Sequence, residues 1–228
     1  MKILFLHALP FDSRIWEPQL DAFGAEHEVH APTLYGLGSS FDEWALGVLQ
    51  AVPGRVVAVG ASMGGYTAGA IARLAPERLE AIVMVGSRAD ADPPERASLR
   101  EEWIRIVREE GAEGLWQAQA KDFFASTTPA EIVERSHRIV LEQDPAALER
   151  AIVAIRDRPD SSEAVTSGVP LLVVGGDADP LIPPVVEEQL AAASPNGRVE
   201  ILDGCGHLPA VERPDEFNGI LSAFLASL

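Results

Sequence analysis

Cysteine, histidine and basic side chains are all scarce in this chain of 228 residues, and each shortage excludes a class of protein. The single cysteine, Cys205, rules out an internal disulfide. Only five histidines accompany it, so a Cys/His zinc site is not expected, and we predict no metal and no cofactor. Lysine and arginine number 18 against 35 aspartates and glutamates, which gives a net charge of −17 at pH 7. We therefore expect no nucleic-acid partner, since few side chains could neutralise phosphates.

Long hydrophobic runs are missing as well. The N-terminal apolar run, Ile3–Leu6, is too short for the core of a signal peptide and is followed by His7. No stretch approaches the roughly 20 apolar residues of a membrane-spanning helix, so we expect no membrane partner and a cytoplasmic location. The length of the chain suits one large α/β domain, or one domain that carries a sizeable insertion.

Short apolar runs alternate with longer amphipathic segments through most of the chain. This alternation is typical of a parallel sheet with helices on both faces, and it predicts an α/β fold. The predicted strands are Ile3–Leu6, Glu28–Ala31, Arg55–Gly60, Ala81–Val85, Pro170–Val174 and Arg198–Leu202. The predicted helices are Trp16–Phe23, Asp42–Ala51, Met63–Leu74, Glu187–Ala193 and Asp215–Leu228.

Between the fourth and fifth predicted strands the strand signals vanish and helix signals dominate. Arg96–Glu110 is one predicted helix, and Thr128-Pro129 and Asp144-Pro145 each combine a capping residue with a first-turn proline at the head of another. We interpret residues 88–167 as a helical cap, inserted into a core formed by residues 1–87 and 168–228. Such a cap would cover the carboxyl edge of the sheet, where open α/β sheets bind ligands.

The sequence Gly60-Ala61-Ser62-Met63-Gly64 has the form G-x-S-x-G and lies between a buried strand and a helix. A nucleophile elbow requires this setting, because the turn is sharp and tolerates only small flanking residues. A plain glycine-rich turn is the alternative interpretation. We predict that Ser62 is a nucleophile.

A serine nucleophile needs a base and an acid, which should follow it at the ends of later strands. His207 is the candidate base, because it alone among the histidines lies in a loop after a late strand. Asp179 is the preferred acid, since glycines let the chain turn just before it. Asp177 and Asp90 are the weaker alternatives.

Two backbone N–H groups should stabilise the oxyanion that forms when the serine attacks. Met63 follows the nucleophile at the start of a helix, where the helix dipole favours negative charge. Leu9 follows the first strand in the loop His7-Ala8-Leu9-Pro10. We assign the two donors to Met63 and Leu9, and we expect His7 to hydrogen-bond the loop rather than to carry protons.

These segments resemble the α/β-hydrolase superfamily over essentially the whole chain. Within it, the chain is most similar to small cofactor-free carboxylesterases and to enol-lactonases of the oxoadipate pathway type. Two departures are Ala8, where the family usually has glycine, and Thr33, where aspartate is common. The matching segments are His7–Pro10, Pro32–Ser40, Gly60–Gly65, Gly176–Pro183 and Gly206-His207.

The resemblance implies an α/β-hydrolase fold with a mostly parallel sheet. The chain starts at the strand that enters the oxyanion loop, so we expect six strands, without the first two of the family. If the strands are numbered along this chain, their expected order across the sheet is 2-1-3-4-5-6. A serine nucleophile argues against dehalogenase and epoxide hydrolase chemistry, which needs a carboxylate.

The predicted activity is hydrolysis of a small-molecule carboxylic ester or lactone through an acyl-enzyme on Ser62. The same three side chains could also serve enol-lactone, C–C bond or perhydrolase chemistry, or acyl transfer to another acceptor. Outside catalysis, the protein could be a ligand receptor that turns over slowly, or an inactive scaffold.

Four aromatic residues of the predicted cap, Trp103, Trp116, Phe123 and Phe124, either belong to its core or wall an apolar acyl pocket. The charged residues of the cap recur at spacings that suit solvent faces of helices. Only Arg88 lies near a strand end as a possible partner for a carboxylate. We therefore expect uncharged, short-to-medium acyl esters or lactones as substrates rather than dicarboxylate-like ones.

Overall fold

A single sheet of six strands organises the computed structural model, which describes residues 1–228. The strands run in the order β2-β1-β3-β4-β5-β6, and every neighbouring pair is parallel. Both the number of strands and their order are as predicted. The strands are β1 Lys2–Leu6, β2 Glu28–His30, β3 Val56–Ala61, β4 Leu79–Val85, β5 Leu171–Gly176 and β6 Gly197–Leu202.

The central strands are almost continuously apolar because helices cover both of their faces. All six residues of β3 and all six of β5 are buried, and only one of the seven residues of β4 is not. The edge strand β6 alternates between exposed and less exposed residues instead. Parallel register brings the carboxyl ends of β3, β4 and β5 to the same edge of the sheet.

Helices connect the strands and pack on the sheet. α1 packs against α10, α2 against α3, and α8 against β5 and β6. These helices agree with the predicted ones to within a few residues at most ends, except that a short 3-10 turn, Ser13–Trp16, precedes α1. They are α1 Glu17–Phe23, α2 Phe41–Ala51, α3 Met63–Leu74, α8 Pro184–Ala193 and α10 Pro214–Leu225, with a short α9 at Pro209–Glu212.

Four further helices lie between β4 and β5, where the cap was predicted: α4 Ala97–Phe123, α5 Ala130–Leu141, α6 Pro145–Arg156 and α7 Ser162–Val165. The first is longer than the predicted helix, which ended at Glu110. Helical hydrogen bonding resumes after Gly111, whose φ of 69° and ψ of −155° interrupt the helix. No helix combines the length and the apolar character that a membrane span requires.

One hydrophobic cluster of 65 buried residues runs through the sheet, its flanking helices and the helices between β4 and β5. Leu115, Val140 and Ile152 of α4, α5 and α6 belong to the same cluster as the strands. The helices α4–α6 are thus packed into the common core. A cavity remains between them and the carboxyl edge of the sheet.

Candidate active site

Ser62 lies in a sharp turn between β3 and α3. It is the only non-glycine residue with a positive φ, at 47°, and such a conformation costs of order 1–3 kcal/mol. Close packing explains the flanking glycines: a Cβ on Gly60 would lie 2.3 Å from the Gly64 backbone, and one on Gly64 would lie 2.0 Å from the Leu6 carbonyl oxygen. The turn holds the Ser62 side chain at the carboxyl edge of the sheet, where it lines the cavity.

His207 joins Ser62 to Asp179 in a chain of hydrogen bonds. Its Nε2 lies 2.9 Å from Ser62 Oγ, and its Nδ1 lies 2.7 Å from Asp179 Oδ2. Both His207 and Asp179 are buried. With the proton on Nδ1, the ring donates to the carboxylate and its Nε2 accepts from the serine hydroxyl, the arrangement that a general base needs.

The backbone of the acid loop orients Asp179. Its second oxygen, Oδ1, accepts from the N–H groups of Leu181 at 2.7 Å and Ile182 at 3.1 Å. The two competing aspartates lie elsewhere: Asp177 is exposed and accepts from a backbone N–H in the His207 loop at 2.7 Å, while Asp90 pairs with an arginine. Of the three candidate acids, only Asp179 contacts His207.

Glu212, which was not predicted as a functional residue from the sequence, fixes the loop that carries His207. Its carboxylate accepts from the N–H groups of Gly206 and Leu208, both at 3.1 Å, on either side of His207. The His207 N–H itself donates to the Phe123 carbonyl at 3.0 Å. The sequence signal for this role was a glutamate five residues after the candidate base.

Glu212 also ties this loop to the segment between α4 and α5. It accepts from Ala125 N–H at 2.9 Å and from Thr128 Oγ1 at 2.5 Å, and its side chain is almost fully buried. One carboxylate therefore satisfies donors from two parts of the chain that are far apart in sequence.

His7 lies under the loop that holds Leu9. Its Nε2 accepts from the Leu34 N–H at 2.9 Å, and its Nδ1 faces the Ala8 carbonyl at 3.1 Å. Burial lowers the pKa of His7 to about 4, so the ring is neutral near pH 7. The ring thus links two loops, which is the role expected for it. Leu9 lines the cavity, and Met63 is buried at the first position of α3.

The cavity beside Ser62 and His207 has a volume of about 230 Å³. Its wall is mostly apolar, and its polar lining comes from Gln119 and two arginines besides Ser62 and His207. The apolar and aromatic lining residues are Leu9, Tyr66, Leu99, Trp103, Phe123, Ile155, Pro180, Leu181 and Ile182.

The predicted pocket residues divide into two groups. Trp103 and Phe123 line the cavity, whereas Trp116, Phe124 and Arg88 do not. The Trp116 ring is buried and stacks on a histidine of α5, with 4.7 Å between ring centroids, and the Phe124 ring packs beside it at 6.1 Å. The Arg88 guanidinium is engaged by Asp90 instead.

Charged side chains line the cavity as well. Arg96 and Arg100 both line the cavity. Charged residues of this segment were expected on solvent faces of helices, but Arg96, just before α4, and Arg100, in its first turn, face the cavity, and Arg100 is buried. No group of three or more His, Cys, Asp or Glu side chains is arranged to hold a metal ion.

Comparison with known proteins identifies the family of the chain. The profile described as the alpha/beta hydrolase family matches residues 3–220. The chain belongs to the alpha/beta hydrolase family. The pimeloyl-[acyl-carrier protein] methyl ester esterase of Citrobacter koseri is 26% identical to this alpha/beta hydrolase, over 97% of this chain and 92% of its own length.

Two solved structures extend the likeness. A thermophilic esterase from Thermogutta terrifontis, determined with malate bound, superposes with a TM-score of 0.93 at 26% identity, over 100% of this chain and 90% of its own. The enol-lactonase of Burkholderia xenovorans LB400 superposes with a TM-score of 0.87 at 23% identity, over 99% of this chain and 91% of its own. At this identity the likeness shows the fold alone. The esterases among these relatives support ester hydrolysis as the general class of activity.

Proposed function

We propose that this alpha/beta hydrolase cleaves carboxylic esters or lactones through an acyl-enzyme on Ser62. The observation that carries the proposal is the pair of hydrogen bonds that joins Ser62, His207 and Asp179 at the edge of an apolar cavity. A serine hydroxyl is a weak nucleophile unless a base is within hydrogen-bond reach. The 2.9 Å contact with His207 Nε2 meets this requirement.

The reaction follows from these positions in two half-reactions. Ser62 Oγ attacks the carbonyl carbon of the ester while its proton passes to His207 Nε2, and Asp179 stabilises the resulting imidazolium. His207 then protonates the departing alkoxide, which leaves the acyl group on Ser62. In the second half-reaction His207 takes a proton from water, the hydroxide attacks the acyl carbon, and Ser62 recovers its proton.

The oxyanion of each tetrahedral intermediate is assigned to the N–H groups of Leu9 and Met63. The N–H groups in the first turn of a helix have no partner within the helix, which leaves Met63 free to donate. The Leu9 N–H makes no backbone hydrogen bond, and Leu9 lines the cavity. Preorganised donors of this kind contribute roughly 3–4 kcal/mol each.

Water is the proposed acyl acceptor, and the esterases among the relatives support this choice. The same site could pass the acyl group to hydrogen peroxide or an alcohol, or cleave a diketone. Turnover assays that contain each of these compounds separate the possibilities. A receptor that turns over slowly would bind ligand tightly without a burst of product.

Covalent labelling tests the nucleophile directly. A fluorophosphonate should form one adduct, mapped by mass spectrometry to Ser62. Ser62→Ala should lose the adduct and lower kcat for a p-nitrophenyl ester by roughly 10⁴- to 10⁶-fold, with an unchanged melting temperature. A wild-type adduct on any other residue would contradict the assignment.

A further inference from the structure

Arg96 is the least neutralised cation at the cavity wall. Its guanidinium has one hydrogen bond, from Nη2 to the Leu181 carbonyl at 3.0 Å, and no carboxylate lies within ion-pair distance. Arginine carries five N–H donors, so most of its donors have no protein acceptor. Arg96 is half-buried in a largely apolar wall, so water solvates only part of its charge and an anionic group could pair with it.

Arg100 lies beside it and is held rigidly. Its Nε and Nη2 donate to the two oxygens of Asp92 at 2.8 and 3.2 Å, and its guanidinium stacks over the ring of Trp103, 4.4 Å from the centroid. This pairing occupies one edge of the guanidinium and leaves Nη1 without a protein acceptor. Arg100 and Trp103 both line the cavity.

Asp92 cannot neutralise Arg100 fully, because it also pairs with Arg158, whose Nη1 lies 2.9 Å away. Burial opposes ionisation of Asp92, but these two arginines hold its pKa below the ordinary value, so it carries one charge for both. The Arg158 guanidinium lies over the Tyr66 ring at 4.1 Å, and its Nη2 has no hydrogen-bond partner.

The balance of charge around this wall is therefore positive. Arg88 is neutralised by Asp90, and Arg100 shares Asp92, while Arg96 has no counter-ion. Burial lowers the pKa of Arg96, and the nearby charges of Arg88 and Arg100 add to this effect. In a chain with a net charge of −17, two arginines thus line the same cavity as the candidate nucleophile.

We propose that Arg96, supported by the free edge of Arg100, binds a carboxylate on the substrate. The preferred substrates are then esters that carry an ionised carboxyl group besides the ester that reacts. This inference rests on the proposed function, since it assigns the substrate class of the same site. A planar guanidinium with free N–H donors matches the geometry of a carboxylate.

Matched pairs of esters test this specificity. One series compares the monomethyl esters of succinic, glutaric and adipic acids with methyl esters of the monocarboxylic acids of the same chain length. A second pair, acetoxyacetate and ethyl acetate, places the carboxylate on the alcohol side. We expect kcat/KM of the wild type to be at least roughly tenfold higher for the carboxylate member of one pair, as a charge-assisted hydrogen bond predicts.

Arg96→Gln should then lower kcat/KM for that preferred ester by roughly 10- to 100-fold, with a much smaller loss for its neutral partner. Arg96→Lys should retain part of the preference, because the charge remains but the planar fork is lost. The control is Arg108→Gln in α4, which removes the same charge from a side chain that is 63% exposed and outside the cavity. It should leave both rates unchanged.

Binding measurements separate failure of this inference from failure of the proposed hydrolysis. Calorimetric titration of glutarate and succinate into the wild type and into Arg96→Gln needs no turnover, and the variant should bind at least tenfold more weakly. Equal binding, or equal rates for both members of every ester pair, overturns the carboxylate site. Absence of all ester hydrolysis together with arginine-dependent binding would overturn the proposed function alone.

Discussion

Asp179 and Asp177 are two residues apart, but their carboxylates have different environments. Asp179 is buried and holds the His207 ring, while Asp177 is exposed and accepts from a loop N–H. Asp179→Asn should lower kcat by roughly 10³- to 10⁴-fold, because an amide favours the wrong imidazole tautomer and stabilises no cation. Asp177→Asn should cost less than about tenfold. Steady-state kinetics of both variants measure the two losses of kcat. A larger loss for Asp177→Asn than for Asp179→Asn would indicate that Asp177 is the acid.

Glu187 in α8 is a buried carboxyl group without a hydrogen-bond partner. It packs against β5, where a Cβ on Gly175 would lie only 1.6 Å from its Oε2. Burial, together with the charge of Asp179, raises the pKa of Glu187 from 4.5 to about 9. The folded protein therefore holds a proton here that the unfolded chain releases above its ordinary pKa.

This difference predicts how stability depends on pH. Between about pH 4.5 and pH 9 the folded state binds one more proton than the unfolded state, so the free energy of unfolding falls as the pH rises. Glu187→Gln removes this dependence. The variant should match the wild type near about pH 5 and exceed it by at least about 1 kcal/mol near about pH 8.

Urea denaturation at both pH values measures the difference. The neighbouring Glu188→Gln is the matched control, since Glu188 is exposed. A Glu187→Gln variant that is less stable than the wild type at the higher pH would mean that this carboxyl is ionised and paired in the folded protein.

At the scale of elements, α9 contributes the residue that fixes the candidate base. Glu212 ends this short helix and accepts from N–H groups on both sides of His207. Glu212→Gln replaces one acceptor oxygen with an NH₂ group that faces backbone donors. We expect about 1–3 kcal/mol of destabilisation and a kcat that is roughly tenfold lower or more, with little change in KM.

The split between kcat and KM distinguishes positioning from a general loss of structure. The rate of fluorophosphonate labelling of Ser62 should fall in parallel with kcat, because both depend on His207 as a base. Glu216→Gln, in the first turn of α10, serves as the exposed control. If Glu212→Gln lowers stability but leaves kcat intact, the carboxylate only holds the loop to the segment that follows α4.

At the scale of the whole molecule, the two parts predicted as core and cap share one hydrophobic cluster. We predict that they unfold in a single transition, because separating them would expose the common core. The four tryptophans divide evenly, with Trp16 and Trp44 in the part predicted as core and Trp103 and Trp116 in α4. The double variant Trp103→Phe/Trp116→Phe therefore reports on the core alone.

Urea unfolding of this variant, followed by tryptophan fluorescence and by far-ultraviolet circular dichroism, should give coincident midpoints. If the cap unfolded first, the circular dichroism of α4–α6 would be lost at a lower urea concentration than the tryptophan fluorescence of the core. Two resolved transitions would establish residues 88–167 as an independent folding unit.

The strands of the sheet and the three residues joined by hydrogen bonds could both be predicted from the chain alone. Continuous apolar runs form buried strands, and small residues around Ser62 allow a turn that larger side chains would block. Because parallel strands end at one edge, Ser62, Asp179 and His207 could be expected to meet from their positions after strands. These are local requirements of the backbone, so the residues that meet them can be recognised in a single sequence.

The side chains that surround this site could not be predicted, because they depend on how the helices pack against the sheet. The pattern of charges on α4 predicted a solvent face, but its first turn faces the cavity, where Asp92 and Trp103 stabilise Arg100 in a buried position. Glu212 acquires its partners from Ala125 as well as from its own loop. The physical reason is that these contacts join residues far apart in sequence, and the angle at which helices pack on the sheet determines them.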